Sequence, residues 1–423
     1  MSLTLINEIP TYSFADNPIW VVIESGDYSG SEPPFEPDEP NQRIILSIFT
    51  FKPGFQDEKE ARLSLAISPF TKRAFANVAA TFNLQITPPD PDTIVNPTIE
   101  LTAEENGWRL YLIQAYKQFG LPPEEEETPS LVIGSTTAPD LLYAIKGGLP
   151  LDAVNIINPL QSDGDVKLLH LLLGNIYLDT PPLAAEDYVI RPATKEMPSW
   201  MYVFTTFDDP YDLLVTVGFS DGSTNQHTFT GLNSFEGINY IPVGWDQLDL
   251  DTNITTPTGA KPEYYFVSLV DAGTTTGIGM TMLFQLHECQ PFTRYILMET
   301  GLGGLETVPL FGKHAYGVES SRETTRMTTT IDTTPETGNY ANFNRQTNRV
   351  ITAQTGYSTK NYIDLLSQLL CGELWEIDIK GERFLKIAAD QQTFRELYKE
   401  DDDLYALEFK YRQGWDDPHS IKI

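Results

Sequence analysis

Histidine and cysteine are the residues most often used for metal binding and nucleophilic catalysis, and both are rare in this chain. Five histidines occur in 423 residues: His170, His227, His287, His314 and His419. None has the His-Glu-x-x-His spacing that places two imidazoles on one face of a helix. His287, Glu288 and Cys289 are consecutive at the end of a predicted strand, where neighbouring side chains point to opposite faces. The spacing therefore predicts no zinc site.

Acidic residues could act as paired catalysts or as calcium ligands. A pair of carboxylates can hydrolyse a glycosidic bond, but 59 acidic residues offer so many pairs that none is singled out. Clusters of acidic residues that could bind calcium occur at Asp163-Gly164-Asp165, Asp208-Asp209 and Asp249 to Asn253. None of them matches an EF-hand loop, and solvated turns are the alternative interpretation.

Glycine-rich phosphate loops are also missing from the sequence. The closest match, Gly301-Leu302-Gly303-Gly304, lacks the full Gly-x-Gly-x-x-Gly pattern and is not followed by a helical pattern, so it predicts a tight turn. No P-loop and no Gly-x-Ser-x-Gly elbow occurs. We therefore predict no catalytic, cofactor-binding or metal-binding residues, and a protein that is not an enzyme.

Tryptophan side chains could stack on sugars or fill a core. The six are Trp20, Trp108, Trp200, Trp245, Trp375 and Trp415. Most lie inside predicted strands, where a core role is expected. Trp415 follows the last predicted strand and is the one expected to be exposed.

The net charge of −31 limits the possible partners. Such a chain repels a phosphate backbone and an anionic membrane surface, so free nucleic acid is not expected as a partner. The acidity is explained either by solubility or by complementarity to a basic neighbour. No run approaches the roughly 20 apolar residues of a membrane span, and Met1 to Pro10 has no signal-peptide pattern, so we expect synthesis in the cytoplasm without membrane insertion. Cys289 and Cys371, far apart, are expected to be buried thiols.

Short apolar and β-branched runs separated by Gly and Pro predict a mainly β, multidomain protein with β-sandwich-like modules and one short C-terminal helix. We predict an N-terminal β-rich domain at 1–191, a central β-sandwich domain at 192–293 and a C-terminal α+β domain at 294–423. Predicted strands include Arg43 to Phe51, Ala80 to Ile86, Trp108 to Ala115, Trp200 to Phe207, and a hairpin joining Leu213 to Phe219 with Gln226 to Phe229 through Asp221-Gly222.

The C-terminal domain has two further features. An amphipathic helix is predicted to begin after Ser358 or Thr359 and to run to Leu370, before Gly372. The Thr- and Arg-rich tract from Ser320 to Thr334 favours extended structure but has no core-forming residues. We predict that it is a long exposed strand or arm that binds a neighbouring subunit by strand addition.

Several segments together resemble a known family. They are Asn17-Pro18-Ile19, the stretch from Arg294 to Phe311, Gly356-Tyr357 with the following helix, Leu374-Trp375-Glu376-Ile377, and Asp402 to Tyr411. The chain resembles structural tail proteins of tailed phages and prophages of the Bacteroidota. The resemblance implies a tail-tip or baseplate protein, located in the virion tail, that forms a homo-oligomeric ring and contacts other tail proteins without catalytic residues.

Two other functions remain open. Sandwich domains that present aromatic side chains would suit a carbohydrate-binding or adhesion protein that contacts a host surface glycan. A β-rich glycoside hydrolase is the second alternative, although no carboxylate pair is selected by the sequence.

Overall fold

The computed structural model describes most of the chain. It covers residues 3–413 except 8, 10–11, 39, 53–55, 88–90, 92–98, 100–101, 105, 136–140, 147–170, 173–189, 206–209, 234–236, 274–276, 289–291, 301–302, 327–339, 367–371, 379–382 and 400–403. Strands dominate and helices are few and short, and the strands form several sheets, which confirms the predicted mainly β, multidomain fold class. No helix in these ranges is long and apolar enough to span a membrane.

The strands are numbered in chain order. The first thirteen are β1 Leu3–Leu5, β2 Tyr12–Phe14, β3 Trp20–Ser25, β4 Tyr28–Ser29, β5 Glu36–Pro37, β6 Arg43–Lys52, β7 Gln56–Ala66, β8 Arg73–Asn77, β9 Thr102–Glu104, β10 Trp108–Phe119, β11 Glu124–Glu125, β12 Leu131–Ile133 and β13 Leu142–Ile145. The next eight are β14 Leu171–Leu172, β15 Ile190–Ala193, β16 Trp200–Thr205, β17 Pro210–Phe219, β18 Thr224–Asn233, β19 Gly237–Pro242, β20 Pro262–Asp271 and β21 Gly277–Leu286. The last seven are β22 Arg294–Glu299, β23 Leu305–Leu310, β24 Ala315–Arg326, β25 Tyr340–Gln354, β26 Leu374–Asp378, β27 Arg383–Lys399 and β28 Leu404–Gln413. Three helices are described: α1 Ala79–Asn83, α2 Leu250–Asn253 and α3 Lys360–Leu366.

The N-terminal region is a sandwich of two sheets. A three-stranded sheet of order β1-β3-β8 packs on the sheet of order β2-β13-β10-β6-β7. Val21 and Ile23 of the small sheet share a buried cluster with Ile44 and Ile113 of the large sheet. This core follows from the alternation of apolar residues along each strand, which places every second side chain on one face.

The strand predicted from Ala80 to Ile86 is wrong, because α1 occupies this position. The backbone N–H of Ala79 donates to Oδ1 of Asn77, and Phe82 is fully buried with its ring 4.6 Å from that of Tyr111. The helical turn thus brings Phe82 into the sandwich core.

The central region adds two sheets, of order β14-β16-β19-β9 and β15-β21-β20-β17-β18. Every residue described in β16 and β19 with a side chain is buried, so this middle sheet is covered on both faces. On one side the ring of Phe204 lies edge-on to Trp108 and Tyr143. The hairpin at Asp221-Gly222 is confirmed, and Gly222 has φ +81° as such a turn requires.

Three strands connect regions that the sequence separates, and one of them is β14, which lies in the predicted N-terminal domain but pairs with β16. β9 lies in the predicted N-terminal domain but pairs with β19, and β15 crosses the predicted boundary at 191/192. The main buried cluster also contains residues from all three predicted domains, including Phe51, Phe204 and Trp375. The boundaries 1–191, 192–293 and 294–423 stay a prediction.

The C-terminal sheet has seven strands in the order β23-β22-β26-β27-β28-β25-β24. Helix α3 begins after Thr359, as predicted, and buries Tyr362, Ile363 and Leu366 against one face of the sheet. It is described as far as Leu366, and the predicted continuation to Leu370 falls mostly outside the described residues.

Candidate assembly surfaces

The acidic and histidine candidates do not form a metal centre in the described part of the chain. No group of three His, Cys, Asp or Glu side chains with metal-binding geometry occurs there. In the segment from Asp249 to Asn253, Asp249 precedes the short helix α2, and the Asp251 carboxylate accepts a hydrogen bond from Lys195 Nζ at 2.6 Å. His287 continues β21, and its backbone N–H donates to the carbonyl of Ala193.

Several candidates fall outside the described residues: Asp163, Asp165, His170, Asp208, Asp209, Cys289, Cys371, Trp415 and His419. The glycine-rich segment is described from Gly303, which has φ +84°. Two backbone hydrogen bonds close its turn. The N–H of Thr300 donates to the carbonyl of Gly304, and the N–H of Gly303 donates to the carbonyl of Thr300. A Cβ at Gly303 would lie 2.4 Å from the carbonyl oxygen of Lys146, so this residue is packed against another segment of the chain.

Burial separates the tryptophans into two groups. Trp108, Trp200, Trp245 and Trp375 are at most 8% exposed, as a core role requires. The same expectation is wrong for Trp20, which is 53% exposed on the outer face of the β1-β3-β8 sheet. Its neighbours Val21 and Ile23 alternate with the outward positions and fill the core instead.

Three edge strands of at least ten residues are described: β7, β18 and β24. Exposed edges carry unpaired N–H and C=O groups, and proteins commonly protect them with charged side chains. β7 carries Asp, Glu, Lys and Arg residues, and β24 carries Glu and Arg, whereas β18 has no Asp, Glu, Lys, Arg or Pro. Thus β18 is the uncharged member of the three.

The backbone geometry of β18 shows which groups face outward. Phe219 N–H donates to the carbonyl of Ser223 at 3.0 Å, and the same register continues along β17 and β18. Because hydrogen-bonded and non-bonded pairs alternate in an antiparallel ladder, Thr224, Gln226 and Thr228 direct their N–H and C=O groups away from β17. β18 therefore offers a regular, neutral row of backbone donors and acceptors.

Strands β24 and β25 form a long two-stranded ribbon. β25 pairs with β28 only from Val350 to Gln354, while its pairing with β24 continues to Tyr340 opposite Arg326. Beyond Val350 the ribbon has no third strand among the described elements. The two strands thus project from the edge of the seven-stranded sheet.

The predicted arm from Ser320 to Thr334 is only partly described. Residues 320–326 are extended, as expected, but they are half of a hairpin whose partner is β25, rather than a single strand. The remainder, 327–334, lies outside the described residues. The Thr- and Arg-rich pattern predicts extended structure, but it contains no signal that identifies the partner strand.

No protein-family model matches the chain, and the search of curated proteins found no match.

Proposed function

We propose that this protein is a structural subunit of a phage tail tip or baseplate, which assembles with copies of itself through the β24–β25 ribbon. The single observation that carries the proposal is the length of ribbon that projects without a third strand from the described part of the chain. An isolated two-stranded hairpin is at best marginally stable in water. A ribbon of this length is therefore expected to gain its stability from a neighbouring subunit.

The neutral edge of β18 is the surface that best fits such a neighbour. Two acidic subunits repel each other, so a contact between them favours a segment without further negative charge. β18 meets this condition, and its outward backbone groups allow strand addition. β24 and β18 lie at the edges of different sheets.

A contact between two different edges is heterologous, and heterologous contacts produce closed rings when the rotation between subunits closes. This is the arrangement that the resemblance to tail proteins implies. Assembly does not require a catalytic site, and the proposal assigns none. Contacts with other tail proteins would use the surfaces that remain free in the ring.

The ribbon can be shortened without disturbing the sheet from which it projects. Val318 and Arg349 are register partners in the hairpin. Replacing residues 319–348 with Asn-Gly joins these partners through a tight turn and removes the projecting part. As a matched control, Gly120–Pro123 is replaced with Asn-Gly between the register partners Phe119 and Glu124, which shortens a different exposed hairpin.

Light scattering coupled to size exclusion measures the oligomeric state of each protein, and negative-stain images show whether rings form. We expect the wild type and the control to be oligomeric and the ribbon variant to be a folded monomer with unchanged circular dichroism. Thr228→Glu, which places a negative charge on the β18 edge, should also prevent assembly, whereas Ser64→Glu on the already charged edge β7 should not. A monomeric wild type at all concentrations, or a ribbon variant that still forms rings, would contradict the proposal.

A second observation tests the biological context. Genes for a tape-measure protein and a capsid protein beside the gene for this chain would support the tail assignment. A neighbourhood of polysaccharide-degrading enzymes would favour the glycoside hydrolase alternative.

A further inference from the structure

The outer face of the β1-β3-β8 sheet carries aromatic side chains that the core does not use. Trp20 and Phe75 are 53% and 52% exposed, although both lie inside strands. Trp20 is the register partner of Asn77, and Val22 is the register partner of Phe75. The rings of Trp20 and Phe75 therefore lie on the same face of the sheet, in neighbouring rows of paired residues. Ile6, 42% exposed, extends the Phe75 row, because its N–H donates to the carbonyl of Val22.

The polar groups beside these rings are held in place. Oδ1 of Asn77 accepts hydrogen bonds from the backbone N–H groups of Ile19 at 3.0 Å and Ala79 at 3.2 Å. Both hydrogen bonds are accepted by the amide oxygen of Asn77. They hold the side-chain amide in place and leave its NH₂ group as a possible donor to a ligand. At the other end of the face, Arg73 Nε and Glu24 Oε2 form a partly exposed ion pair at 3.0 Å. Fixed donors and acceptors therefore flank the apolar rows at both ends.

Beyond the end of β1, the side chain of Asn7 holds the backbone of β3 next to Trp20. Asn7 donates from Nδ2 to the carbonyl of Trp20 at 2.8 Å and accepts at Oδ1 from the N–H of Val22 at 2.7 Å. The side chain of Asn7 thus replaces the missing continuation of β1. The backbone that carries the exposed ring is positioned before any ligand arrives.

The size of the face indicates what can cover it. Three strands spaced by about 4.8 Å and five residues that each rise about 3.4 Å give roughly 14 Å by 17 Å, or about 240 Å². A stable protein interface buries about 800 Å² on each partner. The face is therefore too small for a stable protein contact of its own, but it can hold a small, rigid ligand.

Its chemistry fits a neutral carbohydrate. The C–H groups on the face of a pyranose ring pack on an aromatic ring, whose electron-rich face attracts them. The hydroxyl groups at the edge of the sugar can bind the Asn77 amide and the Glu24–Arg73 pair. An anionic polymer would be repelled by the net charge of −31. We infer that the outer face of the β1-β3-β8 sheet binds a neutral pyranose glycan through Trp20 and Phe75.

The test uses the full-length protein and a panel of cello-, malto-, chito- and mannohexaose, with hyaluronan as an anionic comparison. Isothermal titration calorimetry should detect binding to at least one neutral hexaose. Trp20→Ala and Phe75→Ala should each weaken it by about tenfold or more. Trp20→Phe, which keeps an aromatic face, should retain part of the affinity.

Tyr398→Ala is the matched control, because Tyr398 is also 53% exposed but belongs to β27. It should bind as the wild type does, and circular dichroism should show all variants folded. The inference is overturned if no neutral hexaose binds at millimolar concentration, if Trp20→Ala binds normally, or if only hyaluronan binds. It is also overturned if Trp20→Ala changes the oligomeric state instead of glycan affinity, since the face would then be a subunit contact. This inference does not depend on the ribbon, so either proposal can fail alone.

Discussion

Arg191 donates a hydrogen bond from Nε to Oε1 of Glu306 at 2.6 Å, and a second donor, Nη2, lies 3.5 Å from Oε2. The two side chains are 6% and 5% exposed. Arg191 belongs to β15 of the central region and Glu306 to β23 of the C-terminal sheet. Close by, the hydroxyl groups of Thr194 and Tyr295 are 2.6 Å apart. Buried polar contacts therefore join two sheets whose strands are distant in sequence.

Breaking this ion pair from one side should destabilise the protein strongly. Glu306→Leu or Arg191→Met leaves the other charge buried without its partner, and we expect a loss of about 3–5 kcal/mol in the free energy of unfolding. The double variant Arg191→Met/Glu306→Leu should recover most of that loss, because no charge remains to be desolvated. Urea unfolding measures all three variants. Single variants within about 1 kcal/mol of the wild type would show that the pair is hydrated in solution.

Gly237 should tolerate no side chain. It begins β19 with φ +107°, and a Cβ there would lie 2.1 Å from Cε2 of the buried Trp108. Gly237→Ala combines a strained backbone with overpacking, so it should lower the free energy of unfolding by about 3 kcal/mol or more.

Gly222→Ala separates the effect of backbone strain from the effect of overpacking. Gly222 has φ +81° and no atom within 4 Å of the position of a Cβ, so only the backbone strain applies there. We expect a loss of about 1 kcal/mol for this variant. Equal losses for the two substitutions would mean that the Trp108 contact contributes nothing.

Glu299 should make stability depend on pH. Burial raises the pKa of its carboxyl group above the ordinary value of 4.5, partly opposed by the hydrogen bond from the N–H of Glu373 and by Lys146. A raised pKa in the folded state means that this group stabilises the protein fully below its unfolded pKa. The contribution is lost as the pH rises through the folded pKa.

Glu299→Gln removes this titration and keeps an oxygen acceptor for Glu373. The variant should therefore be more stable than the wild type at pH 8, and the difference should shrink toward pH 5, as measured by urea midpoints across this range. Glu299→Ala, which also removes the acceptor, should be less stable than Glu299→Gln at every pH. A difference between wild type and Glu299→Gln that is constant with pH would disprove the role of this carboxyl group.

Local sequence patterns were sufficient where neighbouring residues decide the structure. The hairpin at Asp221-Gly222 follows from two apolar runs and a turn that needs positive φ angles. The start of helix α3 after Thr359 follows from its apolar spacing. In both cases the information lies within about twenty residues.

Other features depend on contacts that a local pattern does not contain. The run of Trp20, Val21, Val22 and Ile23 is apolar throughout, so its alternation does not reveal which side faces the core. The segment at Ala79 is helical because Phe82 fills a space beside Tyr111. Glu306 lies 115 residues beyond Arg191, and nothing in either neighbourhood indicates the pairing.

The pairing of β9 with β19 has a consequence for dividing this protein into pieces. Thr102–Glu104 is an edge strand of a sheet whose other members come from residues 171–242. A polypeptide that stops at residue 191 keeps β9 and β14 but loses their partners β19 and β16, and one that starts at residue 192 loses both of these strands from its own sheet. Neither half is complete, so two separately produced halves are expected to regain the native arrangement only when they are mixed.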